Sequence, residues 1–230
     1  MVVWRSTTLS FWICLCCNWC MLGATAGDPD VNLQVARDAE ATFLQELHDA
    51  LGMDEKSEAI HNWFRKSGNS NSVCDFTGVQ CDVHGLVTIL DLSSKGLAGS
   101  LPGSFAPLTR LQRLLLRNNN IVGNVPWELP QNLLHFNVDR NRLQGTIPSF
   151  QFTSFASSPS VSPQLERLIL SDNLLQGTLP TTVCSLGQLK ALNLSRNPDL
   201  RGRLPECLAA LSALNGLQVL GTKIIGPILP

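Results

Sequence analysis

The chain contains no tyrosine, and aromatic residues make up only 6% of its 230 positions. Interface hot spots favour Trp, Tyr and Arg, so a binding face built here lacks one of its commonest anchors. Histidine is scarce. His48, His61 and His84 fall before the region of regular patterning, and only His135 lies where it meets a carboxylate on a regular face, for example Glu166. No nucleophile elbow, metal triad or phosphate-binding loop occurs, so the chain reads as a non-enzyme with no cofactor and no metal. Neither sign of charge dominates: 17 basic residues stand against 18 acidic ones, a net charge of −1. That balance points away from nucleic acid and from anionic membrane surfaces. After the first 26 residues no apolar run reaches the ~20 residues that span a bilayer, so no transmembrane helix is expected once those residues are removed.

What the chain has in abundance is leucine at fixed intervals. Leu111, Leu114, Leu116, Asn119, Ile121, Gly123, Val125 and Pro126 form one pattern. It returns as Leu133, Phe136, Val138, Asn141, Leu143, Gly145, Ile147 and Pro148, and again as Leu165, Leu168, Leu170, Asn173, Leu175, Gly177, Leu179 and Pro180. A further copy runs Leu189, Leu192, Leu194, Asn197, Leu200, Gly202, Leu204 and Pro205, with one extra residue after the Asn. Degenerate copies begin at Val87 and at Leu214, with Lys95 and Thr222 in place of the Asn. A period of a little over twenty residues with these positions in register is the signature of a leucine-rich-repeat solenoid. The expected fold is therefore α/β: a helical N-terminal cap followed by about six repeats.

The chemistry of the repeat explains its residues. The x-Leu-x-Leu segment is a short strand whose side chains alternate in and out, and successive strands stack as a parallel sheet on the concave side. A buried Asn amide must be hydrogen-bonded, so Asn119, Asn141, Asn173 and Asn197 are expected to form a ladder to turn backbone, weakening at both ends. The copies resemble the plant-type class, L-x-x-L-x-L-x-x-N-x-L-x-G-x-I-P, over roughly residues 74 to 229.

Residues 1–26 read as a secretory signal: Arg5, an apolar core from Leu9 to Leu22, and Ala24-Thr25-Ala26 as the cleavage site. An uncleaved anchor is the alternative. Cleavage removes Arg5 and no acid, moving the net charge from −1 to −2. It also removes Cys14, Cys16, Cys17 and Cys20, leaving Cys74, Cys81, Cys184 and Cys207. In an oxidising compartment these read as disulfides; a zinc site is disfavoured because the two pairs lie far apart along the array. Cys74 and Cys81 are close in sequence and flank a turn, and Cys184 and Cys207 occupy nearby points in consecutive coils, so Cys74–Cys81 and Cys184–Cys207 are the expected pairs. Residues 27–82 form the cap. Phe43, Leu44, Leu47 and Leu51 have helical spacing, Gly52 ends that helix, and Ile60, Trp63 and Phe64 mark a second short one. The Cys74–Cys81 segment resembles the C-x-W-x-G-V-x-C cap that precedes plant-type repeats, with Phe76 at the Trp position.

Residues 83–230 hold the repeats, interrupted at 149–163 by a Ser- and Pro-rich insertion that favours a loop. Phe150, Phe152 and Phe155 within it either pack back on the coil or form a recognition loop. The strand positions that alternate with core leucines give three concave columns: Asp91, Leu115, Asn137, Ile169, Asn193, Gln218; then Ser93, Arg117, Asp139, Ser171, Ser195, Leu220; then Ser94, Asn118, Arg140, Asp172, Arg196, Gly221. Concave sheets of solenoids are the usual binding surface. The candidate ligand-binding residues are Leu115, Arg117, Asn137, Asp139, Arg140, Ile169, Asp172 and Arg196, against the alternative of a merely solvated face. Arg117, Arg140 and Arg196 offer donors. Trp127 is expected to be partly packed. Asn193-Leu194-Ser195 is an N-glycosylation sequon, and a glycan there obstructs the C-terminal half of the face.

The layout resembles plant receptor-like ectodomains and polygalacturonase inhibitors. Asp75–Asp82 and Leu220–Gly226 also look like kinetoplastid surface antigens of the same repeat class; those usually carry a lipid-anchor signal, which Gly226-Pro227-Ile228-Leu229-Pro230 does not provide. The resemblance implies a secreted or cell-surface module that binds a protein or glycan. The alternatives are a secreted enzyme inhibitor and a structural coat component. The last copy, with Leu217, Val219 and Ile224, predicts an apolar end suited to self-association.

Overall fold

The computed structural model describes residues 29–53, 63, 72–153 and 163–226. The segment read as a secretory signal, Ile60, Phe64 and Phe155 lie outside them. The cap opens with an α-helix, Pro29–Ala50. Phe43, Leu44, Leu47 and Leu51 lie on one face of its last turns and just beyond, and all four are buried. The helix stops where Gly52 takes φ +57°, with Met53 N–H donating back to the His48 carbonyl at 3.2 Å. That left-handed residue is the common device for ending a helix. Trp63 is 2% exposed, donates its indole N–H to the Thr77 carbonyl at 2.9 Å, and stacks on Phe76 at 5.2 Å between ring centroids. A Cys74–Cys81 disulfide closes this part of the cap, with Cα atoms 5.6 Å apart.

A seven-stranded sheet runs the length of the solenoid. Val79–Cys81 pairs antiparallel with Val87–Asp91 and so joins the cap to the repeats. Val87–Asp91 is followed in parallel by Arg113–Leu115, His135–Asn137, Arg167–Ile169, Ala191–Asn193 and Gly216–Gln218. The register stacks Leu90, Leu114, Phe136, Leu168, Leu192 and Leu217 in one inward column. All but Leu217 are fully buried. One strand per repeat makes six repeats, as the spacing predicts. A second, lateral parallel sheet is built from Gln144–Thr146, Leu174–Gly177, Asp199–Arg203 and Lys223–Ile225. On the far side of the coils, two 3-10 turns, Thr181–Ser185 and Glu206–Ala210, are joined by a Cys184–Cys207 disulfide.

The Asn ladder is fully formed. Asn141 donates to the carbonyls of Leu116 in the preceding coil (2.9 Å) and Val138 in its own (3.1 Å), and its Oδ1 accepts the Ile121 N–H at 3.1 Å. Asn119, Asn173 and Asn197 repeat the arrangement, each reaching the preceding coil. At the last repeat Thr222 bonds only its own coil, through the Val219 carbonyl and the Ile224 N–H.

The insertion departs from the loop expected of it at its start. Gln151–Thr153 is a strand paired in parallel with Glu128–Pro130, because the backbone continues the stacking of the coils before leaving it. Phe150 and Phe152 pack against the core, ring centroids 6.5 Å apart, so for these two residues packing wins over display. Trp127, 46% exposed, lays its indole against Gly103, away from the concave strands.

Candidate functional site

The concave face is made by side chains that alternate with the buried column. Leu115, Asn137 and Ile169 are direct partners on adjacent strands and are half-buried. Asn137 is less free than the sequence suggests: its Oδ1 accepts the Asp139 N–H at 2.9 Å, as Asp91 does for Ser93 and Asn193 for Ser195. These side chains cap the strand ends, in the manner of Asx turns.

One residue column forms the bend after each strand. Ser94, Asn118, Arg140, Asp172 and Arg196 have φ between 51° and 56°, a region few non-glycine residues occupy. Gly221 continues the series at φ 72°. Each of the five donates its N–H to the carbonyl of the next coil, for example Asn118 to Asp139 at 2.8 Å and Arg196 to Leu220 at 2.7 Å. Inter-coil bonding holds the unfavourable backbone and fixes where Arg140, Asp172 and Arg196 project.

Ion pairs then sort the charges. Arg196 Nη1 lies 3.3 Å from Asp172 Oδ1, and Arg140 Nε lies 3.8 Å from Asp139 Oδ2. Asp139 also accepts the Ser171 hydroxyl at 2.6 Å. Two of the three arginines read as available donors are therefore engaged, and Arg117 alone of that set has no carboxylate partner among the described residues. Lys190 donates to Glu166 at 2.7 Å. This hydrogen bond is the main reason the Glu166 carboxyl sits below its ordinary range.

A fourth column escaped the sequence reading. Ile89, Arg113, His135, Arg167, Ala191 and Gly216 are in register, two residues before the Leu115 column, and belong to the same outward face. The signal was available, since strict alternation carried back from Leu114 points Arg113 outward. His135 sits between Arg113 and Arg167 on neighbouring strands, with Glu166 Oε2 3.9 Å from its Nε2. Burial lowers the His135 pKa, and the charges of Arg113, Arg167 and Lys190 lower it further, against a raising contribution from Glu166. Neither Arg113 nor Arg167 has an ion-pair partner among the described residues.

At the last repeat Leu214, Leu217, Val219 and Ile224 are only half-buried, and Leu220 and Ile225 are 78% and 62% exposed. Among the described residues no helix is long and apolar enough to cross a membrane.

Stacked coils of one short strand each, an Asn ladder and an open polar sheet define a leucine-rich-repeat solenoid. The Leucine Rich Repeat family model matches residues 110–131 and 164–186. Receptor-like protein 54 of Arabidopsis thaliana is 34% identical over 178 residues, 70% of this chain and 21% of the relative. Receptor protein-tyrosine kinase CEPR1 of the same plant is 31% identical over 180 residues, 74% of this chain and 17% of that one. The chain belongs to the plant-type leucine-rich-repeat family. It spans about a fifth of the length of these curated relatives. Among solved structures, the BIR3–SERK2 complex from Arabidopsis thaliana contains a chain that superposes with a TM-score of 0.64 at 29% identity, covering 83% of this chain and 97% of that one. The Arabidopsis receptor kinase HAESA ectodomain, solved with an IDA peptide hormone, gives a TM-score of 0.58 at 27% identity over 85% of this chain and 35% of that one.

Proposed function

We propose that this chain is an extracellular module that binds a protein ligand on its concave sheet and performs no catalysis of its own. The observation that carries the reading is the charge sorting on that face. Asp139, Asp172 and Glu166 are each engaged by a neighbouring cation, whereas Arg113, Arg117 and Arg167 have no carboxylate partner among the described residues. Arginine presented without an internal partner keeps its hydrogen-bonding capacity for something outside the chain. The kinship with receptor-like proteins, and the peptide hormone held by the HAESA ectodomain, support a protein ligand over a glycan. A glycan on Asn193 fits the same reading. The Asn193 Oδ1 bond to Ser195 leaves Nδ2 to carry the sugar, which would then confine the ligand to the half of the face that holds the three arginines.

The test is retention of extracellular proteins on the immobilised chain. Arg117→Glu with Arg140→Glu should abolish retention of the identified partner with little change in melting temperature. Loss with Phe152→Ala instead, at an unchanged melting temperature, would move the site to the insertion. Capture of a carbohydrate hydrolase that the chain inhibits would favour the inhibitor alternative, and capture of its own copies a coat component. Self-association through the last coil belongs to that last outcome, and Ile224→Asp should then return the chain to a monomer in sedimentation.

A further inference from the structure

The row Arg113–His135–Arg167 narrows the ligand, provided the concave sheet is the binding face. Adjacent strands in a sheet lie about 4.8 Å apart, so the backbones of Arg113 and Arg167, two strands apart, are separated by roughly 10 Å. Arg117, also without an ion-pair partner among the described residues, follows Arg113 along its own coil. Next to this row run Leu115 and Ile169, half-buried, with Asn137 between them. The face thus offers two guanidinium groups without an ion-pair partner among the described residues, on backbones at a fixed separation, with a ring nitrogen pair between them and an aliphatic strip alongside. It has no tryptophan or tyrosine on which the apolar face of a sugar ring would stack.

We propose that this row binds an extended acidic protein segment lying across the strands, with two carboxylates three residues apart seated on Arg113 and Arg167. In the polyproline-II conformation residues i and i+3 lie on the same side, about 9 Å apart, which matches the arginine separation. An apolar residue between the carboxylates meets Leu115 and Ile169. Each carboxylate accepts from a guanidinium with no ion-pair partner among the described residues: Glu166, whose charge Arg167 also feels, is bonded to Lys190 at 2.7 Å.

His135 reports on occupancy. Burial does most to hold it below its ordinary pKa, the charges of Arg113 and Arg167 on the flanking strands and of Lys190 beyond add to this, and Glu166 opposes them. Carboxylates placed on the two arginines offset those charges and stabilise the imidazolium. Binding therefore raises the His135 pKa, and by linkage affinity rises as pH is lowered through the range in which His135 gains its proton.

The probe is an end-blocked peptide, Gly-Ser-Glu-Leu-Ser-Glu-Ser-Gly, followed by NMR of the His135 imidazole and by fluorescence anisotropy. The glutamate peptide should bind and move the His135 titration upward, and its affinity should increase as pH is lowered through that titration. The matching glutamine peptide should bind at least about tenfold more weakly, as should the glutamate peptide on an Arg113→Gln, Arg167→Gln variant of unchanged melting temperature. Equal binding of the two peptides, an unmoved His135 titration, or binding of an oligogalacturonate in preference to the peptide would overturn the proposal. A partner whose capture is lost with Leu115→Asp but survives the double arginine change would leave the concave face as the binding site and defeat the acidic segment. Capture unaffected by either change would defeat both.

Discussion

Asn141 shows what a single amide does in this fold. Three of its bonds are buried, and together they tie its own coil to the one before it. Asn141→Ala strips partners from buried backbone groups and should cost about 1–3 kcal/mol in chemical denaturation. Asn137→Ala removes one acceptor at a half-exposed strand end and should cost less, under about 1 kcal/mol. Equal losses would contradict the assigned register. Glu40 presents the opposite case, a buried group only half satisfied. It is 0% exposed, its Oε2 accepts the Val87 N–H at 2.9 Å, and its Oε1 has no hydrogen-bond partner among the described residues. Burial pushes its pKa from 4.5 up to about 7, with the Val87 bond opposing and the Asp82 charge adding to the rise. A carboxyl whose folded pKa is raised contributes stability that is complete below its unfolded pKa and is lost as pH rises through the folded one. The wild-type chain should therefore lose stability relative to Glu40→Gln between about pH 5 and pH 8, read as the difference in melting temperature. A constant difference across that range would show that Glu40 is ionised in the fold.

The elements meet most tightly where the cap helix abuts the first repeat. Gly99, at φ 93°, passes so close to the end of the helix that a Cβ there would lie 2.1 Å from the Ala50 carbonyl oxygen. Gly99→Ala should displace the helix and destabilise the cap first, seen as early proteolysis within Pro29–Ala50 while the repeats remain folded. Uniform protection would mean the contact is slack. At this scale the sequence was most readable. Period-2 alternation inside a repeat of a little over twenty residues sets strand, core column and Asn position at once, because slipping any one of them would bury polar groups. The concave columns were readable for the same reason, as far back as Leu115. Arg113 and Arg167 were missed because the two residues before a core leucine carry no constraint of their own in the motif, so the start of the strand was placed too late. The engagement of Arg140 and Arg196 was not legible, since it depends on a left-handed bend that non-glycine residues seldom adopt. The role of Glu40 was hidden for a different reason: nothing in a helix pattern says that the N–H of Val87, 47 residues on, needs an acceptor.

Across the whole molecule the net charge is −1, yet the four concave columns carry five arginines and three aspartates. The excess sits at Arg113, Arg117 and Arg167, and the lateral sheet carries its own exposed arginines, Arg142 before its first strand and Arg201 within it. Those two groups of arginines make a direct measurement of where a partner docks. In a complex with a partner captured from extracellular fluid, arginine-specific labelling read by mass spectrometry should find Arg113, Arg117 and Arg167 protected while Arg142 and Arg201 react as in the free chain. Protection of Arg142 and Arg201, with the concave arginines unchanged, would contradict the assignment of the concave sheet as the binding face.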